Sequence, residues 1–442
     1  MKPPAPIPAD PDRRARIDDD QWARLRELLR AIVPANPFWT QRLTAAGLGD
    51  AISSLSSFDE LRRLPLITKA DIVEDHAAHP PFGSNLTSPI AAYTRVHYTS
   101  GTTAEPLAWP DTAESWQWML DSWKRIYLAA SVRAGDAIFF AFSFGPFLGF
   151  WTAFEAATQL GVRCLSGGGM GSKKRLHAMA RAQSTVLCCT PTYALHLAQT
   201  AREMRLDPGE LNLRTVIVAG EPGGSLPAVR DRIRAGLGGE VFDHHGMTEV
   251  GPVSHQCAAR VGTLRILESS YLAEVIHPIS GEPATPGAEG ELVLTTLGRS
   301  ACPLLRYRTG DLVRPVFVDE DGAGAGNHMA LEGGVLGRTD DMVIVRGVNV
   351  FPSAVDQIVR ALDGIAEYRV IVGERGAMAE LIVELEPADA AKGEGLRRSL
   401  EERFEETLSL HIPVRIAGAG ELPRFEMKAR RWVRRPQAGS DP

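Results

Sequence analysis

The feature that most constrains this chain is the alternation of short apolar runs with helical stretches between residues 137 and 246. AIFFAF (137–142) leads through a turn at Gly145, Pro146 and Gly149 into a helical stretch ending near 160. VRCLS (162–166) precedes KKRLHAMARAQ, TVLCC (185–189) precedes PTYALHLAQTAREM, and TVIVAG (215–220) precedes SLPAVRDRIRAGL. EVFDHHG (240–246) closes the series. Apolar runs of this length suit strands buried on both faces, and the intervening helices supply the cover. The expected fold class is α/β, with mostly parallel sheets flanked by helices. Residues 137–154 are uncharged and just long enough to raise a membrane span. The Gly and Pro interruptions decide for strand, turn and helix instead.

The flanks differ in texture. Upstream, Trp22, Leu25, Leu28, Leu29 and Ile32 recur at helical spacing and predict a helix over 19–35. From about 258 to 337, short strand-like runs (GTLRI, YLAEVIHP, GELVLTTL, DLVRPVFV) separated by Gly/Pro turns predict a β-rich subdomain of the large N-terminal unit, 1–337. From 338 to 442, strand patterns (DMVIVRG, YRVIVGE, AELIVELEP, PVRIAG) and amphipathic helices (PSAVDQIVRAL, LRRSLEERFEETLSL) predict a small α+β C-terminal domain. The 442 residues have room for these units. A net charge of −6 gives no overall basic field, so a nucleic-acid partner is not expected, nor is a membrane. Five cysteines, an odd and sparse set, suggest no disulfide framework. The opening MKPPAPIPADPDRR has no apolar signal region, so a cytoplasmic location is expected.

Residues 97–109, HYTSGTTAEPLAW, concentrate hydroxyls and small side chains after a strand-like lead-in. A Gly-containing turn there can aim several backbone N–H groups at one point, with Thr and Ser hydroxyls beside them, which suits phosphate oxygens. The lysine-containing loop of P-loop NTPases is absent. VAGEP (218–222) and DHHGMTEVGP (243–252) end predicted strands, and the second leaves Glu249 just beyond the strand end. YRTGDLV (307–313) sets Asp311 in a turn, and GRTDDMVIVRGVNVFP (337–352) spans the expected domain boundary. Open parallel sheets bind ligands beyond the carboxyl ends of their strands.

With PRFEMKAR near the C-terminus, these segments in order resemble the adenylate-forming acyl-CoA synthetase superfamily, and within it the phenylacetate–CoA ligase branch. The resemblance covers about residues 20–435. It implies two steps: ATP and a carboxylic acid give an acyl-adenylate and pyrophosphate, and the acyl group passes to a thiol, usually coenzyme A. By resemblance, Thr99, Ser100, Gly101, Thr102 and Thr103 hold phosphates. Gly220, Glu221, Pro222, His244, His245, Gly246 and Met247 line the nucleotide, with Thr248 beside the reacting groups. Glu249 binds magnesium, as a hard oxygen ligand should. Asp311 takes the ribose hydroxyls and Arg338 follows it. Lys428 matches the catalytic lysine of a mobile small domain, and Asp340 its hinge. The expected cofactors are ATP/AMP, Mg and coenzyme A. Homodimers are common among enzymes of this kind.

Two positions depart from the usual pattern. Ala104 stands where a glycine is usual, and His245 where many members carry a tyrosine. Members of the branch sometimes carry a structural zinc, for which His255, Cys257 and Cys302 are candidates. Zinc favours four ligands, and the fourth is not evident, so two buried cysteines and a surface histidine are the favoured reading. For the acyl pocket, Phe142, Phe144, Gly145, Tyr193 and Gly246 favour an aromatic or compact acid over a long fatty chain. A carrier-protein thiol or an amine or hydroxyl acceptor is the alternative to coenzyme A. A non-catalytic nucleotide-binding homologue is a second alternative, disfavoured by the joint presence of Glu249, Asp311 and Lys428.

Overall fold

The predicted parallel series forms the heart of the protein. The computed structural model describes residues 10–49, 58–99, 106–285, 287–319, 326–345, 348–375, 378–425 and 429–434. Arg163–Ser166, Ala137–Phe140, Val186–Cys189, Thr215–Val218 and Glu240–Met247 lie side by side in that order, all parallel. Side chains alternate between the two faces, as a pleated strand requires. Phe140, Cys188, Ile217 and Phe242 join one core, and Phe139, Leu187, Cys189, Val216, Val218 and Val241 the other. Burial on both faces explains why these strands read as continuous apolar runs. Leu148–Gln159, Ser172–Arg181, Pro191–Glu203 and Pro227–Leu237 are the connecting helices. The stretch that raised a membrane span is strand Ala137–Phe140, a turn, and helix Leu148–Gln159. Among the described residues no helix is long and apolar enough to cross a membrane.

The β-rich stretch divides between two sheets. Gly251–Gln256, Thr263–Ile266, His328–Glu332 and Pro315–Val318 extend the large sheet antiparallel, giving it nine strands. Tyr271–Ile276, Gly290–Thr296, Tyr307–Val313 and Gly337–Arg338 form a four-stranded sheet of their own. The run DLVRPVFV therefore belongs to both sheets, its strands parting at Arg314. The N-terminal helix runs Pro11–Ile32, longer than its apolar stripe, because the Asp10 carboxylate caps it by accepting from the backbone N–H groups of Asp12 and Arg13.

The small domain is a four-stranded sheet ordered Val414–Ile416, Met378–Pro387, Ile365–Arg375, Trp432–Arg434. Its central hairpin is antiparallel and its outer strands are parallel to their neighbours. Helices Pro352–Arg360 and Gly393–Leu408 cover it through Val355, Val359, Leu400 and Phe404, which bury against Val370, Val383 and Leu385. Trp432–Arg434 lies in what reads in the sequence as a basic tail, yet it pairs with Val370–Val372 as an edge strand.

Candidate active site

Glu221, His245 and Glu249 lie at or just past the carboxyl ends of strands Thr215–Val218 and Glu240–Met247, where the connecting backbone is free to line a ligand, and Asp311 meets His245 there. After Thr215–Val218 the chain turns at Gly220, whose φ of +95° favours glycine. Exposed Pro222 follows Glu221. The Glu221 carboxylate is held from two sides. Its Oε1 accepts from the backbone N–H of Thr192 at 2.8 Å, and its Oε2 accepts from that of Ala429 at 2.9 Å.

Strand Glu240–Met247 carries the histidine pair. Adjacent strand residues face opposite ways, so only one of the two can look outward. His244 is the inward one: it packs edge-on against Trp123 at 4.4 Å, and its Nδ1 lies 3.1 Å from the Ser254 carbonyl. Burial pushes its pKa down to about 3, so it is a neutral residue packed in the core. The ladder slips between His245 and Gly246, a bulge that redirects the strand end. Gly246 lies so close to the neighbouring strand that a Cβ would sit 2.8 Å from the Gly251 carbonyl oxygen. His245 faces the site, with Nε2 3.0 Å from Asp311 Oδ2. Met247 packs against the core beneath.

Asp311 is buried in strand Tyr307–Val313, directly across the ladder from Arg338. Arg338 Nη1 donates to Asp311 Oδ1 at 3.2 Å, while its Nε and Nη2 fork onto Asp340 at 2.8 and 2.9 Å. Gly310, at φ +76°, makes room: a Cβ there would lie 2.7 Å from Arg338 Nη2. Asp311 thus offers two acceptor oxygens, each met by a nitrogen-bearing side chain. Burial, then the charge of the Glu249 carboxylate, push the phenol of buried Tyr307 well up.

The turn at Thr248 and Glu249 is set by residues that sequence reasoning missed. Arg299 Nη1 donates to both the Thr248 and Glu249 carbonyls at 2.8 Å. The rest of its guanidinium grips Asp111 bidentately at 2.8 and 2.6 Å, with both side chains fully buried. The two partners stand 188 positions apart, so no local pattern announces the pair. Glu249 itself is buried, with Lys69 Nζ 3.5 Å from its Oε1. Lys69 opens helix Lys69–Ala78, whose N-cap Thr68 forms a capping box with Asp71. That box is legible in ITKAD; its partner Glu249 is not.

Thr99 and Leu107, on either side of the hydroxyl-rich stretch, are joined twice: Thr99 N donates to the Leu107 carbonyl at 3.0 Å, and Leu107 N donates to Thr99 Oγ1 at 3.0 Å. His97 stacks on Trp116 at 4.9 Å. Ser100, Gly101, Thr102, Thr103 and Ala104 lie outside the described residues, as does Lys428.

The aromatic run does cluster. Phe142 stacks on Phe150 at 4.1 Å and meets Phe144 at 5.4 Å, and Phe144 lies against Trp151 at 4.9 Å. The Gly145 carbonyl, at φ +45°, accepts from Trp151 Nε1. Tyr193 does not join them. It is buried in the core on the other face of the sheet, its hydroxyl 3.0 Å from Ser172 Oγ. The physical reason is that helix Pro191–Glu203 packs on that other face.

The zinc candidates are not assembled either. Cys257 packs with Val316, Val318 and Ala330 in a small core of its own, while Cys302 lies in the main core and donates to the Pro110 carbonyl. His255 Nδ1 lies 2.9 Å from the Gln256 carbonyl. Among the described residues no group of three such side chains could hold a metal ion, so zinc does not fit here.

Known proteins share this layout. The family model for AMP-binding enzymes matches residues 70–298, and that for the AMP-binding enzyme C-terminal domain matches 347–435. The chain is 31% identical to phenylacetate-coenzyme A ligase of Thermus thermophilus over 434 residues, covering 93% of this chain and 95% of that protein. With the Escherichia coli protein of the same name the identity is 30% over 439 residues, covering 95% and 96%. Among solved structures, 2-hydroxyisobutyryl-CoA ligase in the postadenylation state, with 2-HIB-AMP, matches with a TM-score of 0.88 at 29% identity, over 98% of this chain and 91% of that one. The same enzyme in the thioesterification state, with 2-HIB-AMP and CoA, gives 0.71 at 29% identity, over 97% and 91%.

Proposed function

Because this chain belongs to the AMP-binding enzymes, we propose that it activates a carboxylic acid, an aromatic one, with ATP and passes the acyl group to coenzyme A. In the first step an acid oxygen attacks the α-phosphorus, and pyrophosphate leaves with the electrons of the broken P–O bond. In the second the coenzyme A sulfur attacks the acyl carbon, AMP leaves, and the thiol proton passes to solvent.

The observation that carries this reading is the pairing of Asp311 with His245 and Arg338 where strand Glu240–Met247 ends, with buried Glu249 in the turn just beyond. Asp311 supplies acceptors for two ribose hydroxyls, with His245 and Arg338 fixing its plane. Glu249, a hard oxygen donor beside the Lys69 ammonium, suits the magnesium that accompanies a triphosphate. That ion, when bound, neutralises charge on the departing pyrophosphate. Thr99 through Thr103 serve the phosphates and Lys428 the reacting carboxylate and α-phosphate. The phenylalanine cluster about Phe142 and Phe144 favours a flat acid, in keeping with the phenylacetate ligases among the relatives.

We place the domain boundary between Gly337 and Arg338 and the pivot at Asp340. The higher match to the postadenylation state supports a small domain seated as that step leaves it. An ATP–pyrophosphate exchange assay over benzoates, hydroxy- and aminobenzoates, phenylacetates and fatty acids tests the reading. Acid-dependent exchange with a narrow aromatic set is expected. No exchange with any acid would remove the adenylation, and activity on medium-chain fatty acids alone would remove the aromatic pocket. AMP release on adding coenzyme A, compared with candidate carrier proteins, identifies the acceptor.

A further inference from the structure

We propose that the Glu221 carboxylate is a positioning residue that latches the segment carrying Lys428 to the large domain for the adenylation step. This rests on the role assigned above to Lys428, and it gives Glu221 a task beyond lining adenine.

The two carboxylate oxygens serve different domains. Oε1 accepts from the backbone N–H of Thr192, at the start of helix Pro191–Glu203 of the large domain. Oε2 accepts from the backbone N–H of Ala429, the residue after Lys428. A carboxylate has no proton to donate, so each oxygen is free to accept, and hydrogen bonds to a charged acceptor are the stronger kind. Thr190 Oγ1 caps the same helix by accepting from Tyr193 N, which leaves the Thr192 N–H for Glu221.

A second contact crosses at the same place. Arg431 is buried, forked onto Glu367 of the small domain at 2.7 and 3.2 Å and lying over the Tyr368 ring at 5.1 Å. Its remaining nitrogen, Nη1, reaches Thr192 Oγ1 at 3.4 Å. Thr192 therefore meets Arg431 of the small domain through its hydroxyl and Glu221 through its N–H. Arg431 reaches the first turn of this large-domain helix directly, and Ala429 reaches it through Glu221. Rotation of the small domain would break both contacts, so they belong to one arrangement only and can favour one half-reaction over the other.

The test separates the half-reactions in Glu221→Gln, which keeps shape but replaces one acceptor with a donor. Pyrophosphate exchange at saturating ATP should slow about tenfold, the scale of one charge-assisted hydrogen bond. Thioester formation from supplied acyl-adenylate and coenzyme A should run at the parent rate or faster. Equal losses in both half-reactions, a loss confined to KM for ATP, or no loss at all would overturn the proposal. Ala429→Pro removes the donor and leaves Glu221 in place; it should give the same split, and it decides the matter if Glu221→Gln fails to fold. Lys428→Ala is run alongside. Undiminished exchange in that variant removes the lysine from the chemistry, a result distinct from failure of the latch.

Discussion

Asp311 holds two partners in this structure, and a bound ribose would share its oxygens with them. His245 Nε2 at 3.0 Å and Arg338 Nη1 at 3.2 Å each leave a second lone pair on the oxygen they meet, the pair proposed for a ribose hydroxyl. Asp311→Asn keeps the shape but loses one acceptor, and KM for ATP should rise about tenfold, with kcat less affected, in exchange kinetics at varied ATP. Lys69 is a weaker case. Its side chain is 47% exposed, and a pair so open to water contributes under about 1 kcal/mol. Lys69→Met should therefore raise KM for ATP no more than about fivefold, with a smaller effect at high salt. At this scale YRTGD and HGMTE single out Asp311 and Glu249, but only Glu249 lies in the turn expected of it; Asp311, expected in a turn, sits inside strand Tyr307–Val313. The sequence could not tell which of His244 and His245 faces outward, because that depends on which side of the strand the ligand lies.

Elements bring in residues that no motif contains. The Asp111–Arg299 pair is fully buried and joins strand Ala108–Thr112 to the Thr248–Glu249 turn. Removing one partner strands a buried charge, so Arg299→Met should cost about 3–5 kcal/mol in urea unfolding. Replacing both, with Asp111→Leu and Arg299→Met together, should recover most of that stability. Pyrophosphate exchange should stay low in the double variant, because the turn has still lost its clamp. The alternating elements were legible because burial on both faces writes itself as unbroken apolar runs, as in VLCC and TVIV. Strand partners were not: nothing in PVFV says that it joins the nine-stranded sheet while YRTGDLV joins another. The edge strand WVR was hidden by its shortness and its basic neighbours.

For the whole molecule, buried imidazoles set the response to acid. Burial pushes His97 and His255 down to about 4 and His244 to about 3, from an ordinary 6.5. The unfolded chain takes up these protons first, so stability should fall as pH drops from about 6.5 toward 4. Burial of Asp243 works the other way, raising it to about 6 from 3.8, so its folded form gains as the pH falls through 6. Burial also pushes His76 down and Asp341 up, so four imidazoles against two carboxyls leave a net loss on acidification. Thermal midpoints across that range should show it, and His255→Leu, away from the active site, should flatten the slope. A midpoint that rises on acidification would contradict this balance.

The stretch bearing Lys428 is tied down on both sides. Before it, Arg424 forks onto Glu386 at 2.6 and 3.0 Å; after it, Trp432–Arg434 is stitched to Val370–Val372. Both anchors belong to one sheet, so the described residues on either side of Lys428 travel wherever that sheet travels. On the proposed pivot at Asp340, the reach of Lys428 is governed by the swing of a solid body, and timing between the two proposed chemical steps becomes a question of where one small domain is parked.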